Sequence, residues 1–320
     1  MRKPRWARSV AVFSITLFAS FSAWADEAAP QELLTRMSAS LRALDFQGSF
    51  VYEHDGRVDA LRIFHLGGER ERERLVSLTG PRSEIVRDER TITCVQPGAV
   101  PTQFANHVGS PLLPLVPNLR GLNAQYSVTL GGEDRVAGYV VRVVDIAPRD
   151  QYRYGYRLWL QRDTQLPLRS AILDAAQRPL EQFMFVALDV GARPSETDLL
   201  PGESLDSAVS PTVGEERINT KPRWTVPQAP AGFRLVRTQR LQGTALEAEQ
   251  LVYTDGVASV SIYVEPRTDS SPVATESASM RGALSIHSRS DGSLQITALG
   301  DVPPATVKAM ALGVRARGAR

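Results

Sequence analysis

The chain has 320 residues, a formal charge of +2 from 37 basic and 35 acidic residues, and a single cysteine. This length suggests two domains, and the near-balanced charge argues against a nucleic-acid-binding protein, which would carry a strongly basic domain. One cysteine excludes an intramolecular disulfide, so we expect the stability to come from packed cores.

The first 25 residues have the pattern of a secretory signal peptide. Four basic residues and no acid lie in residues 1–8, an apolar run of only 13 residues follows at 9–21, and Ala23-Trp24-Ala25 matches a signal-peptidase site. An uncleaved anchor is the alternative, but the run is shorter than the ~20 residues that a spanning helix needs. We expect cleavage after Ala25 and a periplasmic location. Subtracting the four basic residues leaves 33 against 35 acids, a charge of −2.

The remaining chain opens with an amphipathic helix and continues in strands. Pro30 suits a first helical position, and leucines and a methionine recur at helical spacing from Leu33 to Leu44. From Phe46 the apolar period becomes two, with Asp55-Gly56 as a hairpin turn. Several strands are apolar on both faces, which predicts that both faces of the sheet are covered. We expect a further turn at Gly131-Gly132.

Glutamate and arginine alternate strictly through residues 69–74. On a strand this places all three glutamates on one face and all three arginines on the other. The simplest interpretation is a solvated edge hairpin with cross-strand ion pairs. A site for an acidic partner on the arginine face is a weaker hypothesis.

Residues 97–121 combine five prolines with several large apolar side chains. The prolines argue against a regular central strand, and the apolar residues argue against a solvated loop. Long irregular segments in compact domains are often functional. Two interpretations stay open, a fixed cover packed on the sheet and a mobile lid over a cavity.

Composition divides the exported chain into two domains. Residues 193–222 are rich in Pro, Ser, Glu and Asp without apolar periodicity, which indicates a linker. We therefore expect a first domain at 26–192 and a second at 223–320. The second domain combines about five strands with a closing helix that begins at Pro303-Pro304, as expected of a small α+β domain.

No catalytic or metal-binding signature is apparent in the sequence. The four histidines are not paired at zinc-binding spacing, and the nucleophile elbow and phosphate loop are missing. Cys94 lies in a strand-like run, which favours a small core residue over a reactive thiol. We predict a binding protein without catalytic residues, cofactor or metal.

Several stretches resemble the sigma-E regulatory family of RseB and MucB. They are DFQGSFVY at 45–52, TGPRSEIVR at 79–87, YRYGYRLWL at 152–160, LPLRS at 166–170, LVYTDG at 251–256 and VPPATV at 302–307. The stretches follow the family order over both predicted domains. They are strands and turns rather than catalytic motifs.

The resemblance implies a fold and a function. The fold is mainly β: a first domain like the lipoprotein carriers LolA and LolB, an incompletely closed antiparallel β-barrel with helices in its concavity, then a small C-terminal α+β domain. The function is negative regulation of the envelope-stress response. Family members bind the periplasmic part of a membrane anti-sigma factor of the RseA or MucA type and shield it from site-one proteolysis. Lipid or lipopolysaccharide signals release it.

Two sets of residues follow as candidate sites. For a lipid cavity and its lid we expect Phe104, Leu112, Leu113, Leu115 and Leu119 as cover, with Phe50, Ile63, Trp159 and Phe183 as lining. For the anti-sigma factor we favour the second domain, at Tyr253, Ile262 and Tyr263. A homo-oligomer is compatible with the sequence.

The alternative function is a periplasmic lipid or lipoprotein carrier. A carrier would use the same first domain but would have little need of the second, because carriers of that kind resemble only the first part of this chain. A hydrolase and a purely structural envelope protein are further alternatives.

Overall fold

The structure is a computed structural model that describes residues 30–89, 91–105, 122, 124–202, 218–219, 221–242, 247–267 and 276–318. Within these ranges it contains one large antiparallel sheet in each half of the chain and a two-stranded sheet in the second half. No helix in these ranges is long and apolar enough to cross a membrane.

Within these ranges, eleven strands form the first sheet. They are β1 (Phe46–His54), β2 (Arg57–Leu66), β3 (Arg72–Ser77), β4 (Glu84–Arg87), β5 (Thr91–Val95), β6 (Thr102–Ala105), β7 (Tyr126–Val136), β8 (Tyr139–Pro148), β9 (Gly155–Gln161), β10 (Pro167–Leu173) and β11 (Pro179–Val190). Their order is β6-β5-β4-β3-β2-β1-β11-β10-β9-β8-β7, and within the described residues the outermost strands β6 and β7 are not paired with each other. This confirms the predicted open antiparallel sheet.

Helix α1 (Pro30–Ala43) lies against one face of this sheet. Its apolar stripe, Leu33, Leu34, Met37 and Leu41, is buried in one cluster with side chains from the central strands and from β7 and β8 near one edge. Because one helix reaches both the centre and an edge, the sheet must curve around it. The amphipathic pattern of the sequence predicted this helix correctly.

Two of the tight turns illustrate what the sequence did and did not predict. Asp55 and Gly56 both have positive φ, 50° and 71°, as a two-residue hairpin turn requires. The prediction of a turn at Gly131-Gly132 is wrong, because both glycines lie inside β7, at a register shift between Leu130 and Glu133. The chain instead reverses at Ala137 and Gly138, whose φ angles are 47° and 87°.

The face of the sheet opposite α1 is covered over β2 and β3 by the chain that follows β11. Residues 196–202, here called the strap, include the 3-10 turn Thr197–Leu199. Leu199 packs on Phe64, Leu66 and Val76. Sequence composition had assigned residues 193–202 to the linker, but this stretch is fixed to the first domain. Strands β2 and β3 are therefore apolar on both faces because the strap covers the face opposite α1.

The second domain holds the other described strands and one helix. They are β12 (Ile218–Asn219), β13 (Trp224–Thr225), β14 (Arg234–Gln242), β15 (Glu247–Thr254), β16 (Ser259–Pro266), β17 (Glu276–Arg281), β18 (Leu284–Asp291), β19 (Leu294–Gly300), α2 (Pro304–Gly313) and β20 (Arg315–Ala316). The main sheet has the order β12-β14-β15-β16-β19-β18-β17, and β13 pairs with β20. Val307, Met310 and Ala311 of α2 pack on it. This is the predicted small α+β domain.

Candidate functional site

All four residues expected to line a cavity belong to the buried core cluster of the first domain. Phe50, Ile63 and Phe183 are buried. The Phe50 ring contacts the rings of Phe183 and Phe185 edge-on, with centroids 6.0 and 5.6 Å apart. Aromatic pairs in this geometry stabilise a packed core. In this conformation the three side chains therefore fill space rather than border an open cavity.

Trp159, the fourth, lies on the opposite face of the sheet. Leu158 of β9 lies opposite Ser170 of β10, and Ser170 lies opposite Phe183 of β11, so Leu158 and Phe183 are on the same face of the sheet. Trp159, the next residue of β9, lies opposite Arg169. Neighbouring residues of a strand point to opposite faces, so Trp159 does not share a face with Phe183. The Arg169 guanidinium stacks on the indole at 4.1 Å, and Trp159 Nε1 donates to Asp134 at 3.0 Å. The structure therefore does not bring Trp159 together with Phe183 on one face of the sheet.

The proposed cover is only partly within the described residues. Phe104 belongs to edge strand β6, where its backbone pairs with Ile92 of β5, so an edge strand lies inside the proline-rich segment. Leu112, Leu113, Leu115 and Leu119 lie outside the described residues. Near β6, Ile92 and Cys94 are half-buried. Burial raises the pKa of the Cys94 thiol, which keeps it protonated and unreactive.

The alternating Glu/Arg run does not form a solvated edge. Its residues enter β3, which lies between β2 and β4, and both Glu73 and Arg74 are buried. Arg74 pairs with Glu84 at 2.9 Å. The two terminal N–H groups of Arg72 donate hydrogen bonds to the two carboxylate oxygens of Glu196 in the strap, at 2.8 and 2.7 Å. The arginine face therefore holds the strap, which leaves the hypothesis of an acidic partner there without support.

On the glutamate face, His65, Glu71 and Glu73 have oxygen and nitrogen atoms close enough to hold a metal ion. The buried guanidinium of Arg87 already contacts this group, at 2.5 Å from Glu71 and 3.5 Å from Glu73. Burial favours a raised pKa for Glu71, but the hydrogen bond from His65 and the charge of Arg87 outweigh it and lower the pKa. A fixed cation in contact with both carboxylates makes this an internal ion-pair cluster rather than a metal site.

The two domains meet at a buried polar contact, here called the domain junction. Arg153, which follows β8, donates Nε to Asp255 Oδ2 across the junction at 2.5 Å, and both side chains are 0% exposed. The same guanidinium contacts Asp150 at 2.5 Å and donates to the backbone oxygen of Ala231. Its carbon lies 4.8 Å above the Phe233 ring. Every face of this arginine is thus occupied by one domain or the other.

A second set of contacts joins the domains along β11. Glu181 Oε1 accepts the backbone N–H of Ala283 at 2.7 Å, and its other oxygen accepts the hydroxyl of Tyr52 at 2.6 Å. Ala283 belongs to the buried cluster of the first domain although it lies in the second. Burial, followed by the contact with Glu181, raises the pKa of Tyr52 above its usual range. The second domain is thus docked on the first through shared core and buried polar groups.

Beside the junction lies a cleft of about 570 Å³ that both domains line. The first domain contributes Pro148, Tyr154 and Leu180 together with polar residues, and the second contributes Met280, Pro303 and Pro304. No local sequence pattern indicates this site, because its residues lie far apart along the chain. One signal was present: Arg153 and Tyr154 stand in the stretch at 152–160, one of those that resemble the family.

The residues expected to contact an anti-sigma factor are mostly inaccessible. Tyr253 and Ile262 are buried in the second domain's core, and the Tyr253 hydroxyl accepts the backbone N–H of Val226 at 2.8 Å. Tyr263 is half-buried and accepts a hydrogen bond from Gln250 at 3.0 Å. In this conformation Tyr253 and Ile262 support the fold and present no surface to a partner.

Comparison with known proteins identifies both halves of the chain. The family model described as MucB/RseB N-terminal domain matches residues 29–203, and the MucB/RseB C-terminal domain matches residues 219–315. The "Sigma factor AlgU regulatory protein MucB" of Pseudomonas aeruginosa is 34% identical over 296 residues, which are 89% of this chain and 90% of that protein.

Solved structures give the same result. MucB in the Pseudomonas aeruginosa MucA/MucB complex is 31% identical, with a TM-score of 0.74 over 91% of this chain and 100% of that chain. A crystal structure of MucB is 30% identical, with a TM-score of 0.61 over 91% of this chain and 99% of that chain. At equal coverage of this chain, the structure described here thus superposes better on MucB from the complex with MucA than on that crystal structure of MucB.

Proposed function

This chain belongs to the MucB/RseB family, and on that premise we propose that it is a periplasmic negative regulator of a sigma-E type envelope-stress response. It binds the periplasmic part of a membrane-anchored anti-sigma factor of the RseA or MucA type. The observation that carries the proposal is the likeness of both domains, in one arrangement, to MucB in complex with MucA. The chain acts by binding, without catalysis.

Shielding of the anti-sigma factor follows from the same contact. A segment held against a folded domain cannot enter the active site of a protease in an extended form. The bound regulator therefore lowers the rate of site-one proteolysis and keeps the sigma factor inactive. The two docked domains supply a rigid surface for this purpose, because buried polar contacts and shared core residues hold them together.

Release by a lipid or lipopolysaccharide-like ligand is the second element of the proposal. Half-buried apolar residues of β4 and β5, Ile85, Ile92 and Cys94, provide apolar area on the first sheet. Each acyl CH₂ group buried there contributes about 0.8 kcal/mol. Such a ligand favours release only if it binds better to the conformation that binds the partner poorly.

The test is a calorimetric titration of residues 26–320 with the periplasmic domain of Pseudomonas aeruginosa MucA, with and without lipid A. Pseudomonas aeruginosa MucB serves as the positive control. We expect saturable binding that lipid A weakens. Binding that is indifferent to lipid A would retain the regulator and reject the lipid switch. Lipid binding without MucA binding would instead favour the alternative, a periplasmic lipid or lipoprotein carrier.

A further inference from the structure

Strand β17 is an unusual edge of the second domain's sheet. All six of its residues, Glu276–Arg281, are exposed, and within the described residues it pairs only with β18. An outermost strand presents a row of unpaired backbone N–H and C=O groups that another chain can extend. Such edges are commonly blocked in soluble proteins, and an exposed one is a known mode of peptide recognition.

The end of β17 forms one wall of the interdomain cleft. Met280 lines the cleft and is 54% exposed, and its sulfur lies 3.9 Å from the hydroxyl of Tyr154 in the first domain. Pro303 and Pro304, at the start of α2, flank it. A chain added along β17 therefore runs directly into an apolar cleft whose opposite wall is the first domain.

The charges in the cleft are already neutralised. Asp150 is paired with Arg153 at 2.5 Å, and Asp174 is paired with Arg178 at 2.8 Å. Neither sign of charge is in excess among these four residues, so the cleft does not select a phosphate, a carboxylate or a cation. Its remaining lining is mostly proline, alanine, leucine, methionine and tyrosine. The complementary ligand is an uncharged, apolar one.

We propose that this cleft and the edge of β17 form the seat of the partner, which binds as an extended segment with an apolar side chain beside Met280. The inference rests on the proposed function and specifies its contact. The segment adds main-chain hydrogen bonds to β17 and buries its apolar side chain against Tyr154 and Leu180. Because both domains line the cleft, the seat is complete only when they are docked as described, in a structure whose TM-score is 0.74 against MucB in complex with MucA and 0.61 against a crystal structure of MucB.

The experiment measures binding of the MucA periplasmic domain to residues 26–320 carrying Met280→Asp, Met280→Ala or Val236→Asp. Val236 is the matched control, because it is an apolar residue of β14 in the same sheet, 51% exposed and outside the cleft. We expect roughly tenfold or greater weakening for Met280→Asp, from loss of apolar burial and burial of a charge, and a smaller loss for Met280→Ala. Val236→Asp leaves the affinity within about twofold.

Hydrogen exchange gives a readout that does not depend on substitution. In the complex, the amides of β17 that point away from β18 exchange more slowly, because the partner's backbone accepts their hydrogen bonds. Two results would contradict the proposed binding site and leave the proposed function intact. One is equal affinity of all three variants for the MucA periplasmic domain. The other is unchanged amide exchange in β17 while the complex forms. Failure of the unsubstituted chain to bind MucA, when MucB binds it, overturns the proposed function itself and the seat with it.

Discussion

Arg153 of the first domain and Asp255 of the second form an ion pair in which both side chains are completely buried. The pair is fully satisfied: Asp255 Oδ1 accepts the backbone N–H groups of Val257 and Ala258, both at 2.8 Å, and its other oxygen also accepts the hydroxyl of Tyr126 at 3.2 Å. Buried ion pairs are costly to assemble but costlier to break by removing one member. The junction thus favours one docked arrangement of the domains.

Substitution of Arg153 by alanine tests this arrangement. The change leaves the Asp255 carboxylate buried without its cation, so we expect the free energy of unfolding to fall by about 3–5 kcal/mol. The matched control is Arg178→Ala, because Arg178 forms an ion pair with Asp174 while its side chain is 78% exposed. That change is expected to cost less than about 1 kcal/mol. Urea unfolding followed by tryptophan fluorescence measures both, and equal costs for the two variants would contradict a structural role of the junction.

A pair of glycines provides a second test of domain docking. Gly282 and Gly292 have nearly the same positive φ, 56° and 58°. A Cβ atom at Gly282 would lie 2.1 Å from the carboxylate oxygen of Glu181, whereas one at Gly292 would meet no atom within 4 Å. Alanine at either site strains the backbone by roughly 1–2 kcal/mol.

We expect Gly282→Ala to cost more than Gly292→Ala, because it also displaces Glu181 from the backbone N–H of Ala283. Thermal unfolding of the two variants measures the difference. Identical melting temperatures would show that Glu181 can move at no cost and that this contact does not hold the domains.

The third prediction concerns the packing of the strap on the first sheet. Leu199 is 4% exposed against the outer face of the first sheet, and the next residue, Leu200, is 55% exposed. Leu199→Ala should lower the free energy of unfolding by about 2–4 kcal/mol, from lost apolar burial and the cavity left behind. Leu200→Ala should change it by less than about 0.5 kcal/mol. Chemical denaturation distinguishes the two, and a neutral Leu199→Ala would mean that the strap is not part of the first domain's cooperative unit.

Local patterns predicted the elements whose cause is local. The apolar spacing from Leu33 to Leu41 predicted α1, and Asp55-Gly56 predicted the hairpin turn, because helix periodicity and positive φ are properties of short stretches. Gly131-Gly132 gave the wrong turn, because a glycine pair also suits a register shift inside a strand. The Glu/Arg run was misjudged for a different reason: its ion-pair partners lie outside the run, on β4 and on the strap, and the strap partner Glu196 is 124 residues from Arg72.

The candidate site was less accessible to sequence reasoning than the fold. Phe50, Ile63, Phe183, Tyr253 and Ile262 were chosen as large apolar residues on strands, and such residues more often fill cores than bind ligands. Alternation along β9 could have separated Trp159 from Leu158, but only once the face toward α1 was known. The cleft depends on the docking of two domains, which no local pattern encodes.

Glu71 makes the folding stability depend on pH. Its pKa is held below the ordinary value of 4.5 by the hydrogen bond from His65 and the charge of Arg87, which outweigh the effect of burial. A group whose pKa is lower in the folded state contributes stability above its unfolded pKa, and the contribution is lost as the pH falls through the folded pKa.

Glu71→Gln should therefore lower the free energy of unfolding by about 1–3 kcal/mol near neutral pH, and by progressively less as the solution is acidified below about pH 4.5. Urea midpoints measured from about pH 7 to pH 3 test this, with Glu32→Gln as the control, because the Glu32 side chain on α1 is 51% exposed. Parallel curves for Glu71→Gln and the unsubstituted chain would show that the cluster around Arg87 does not link folding to protonation of Glu71.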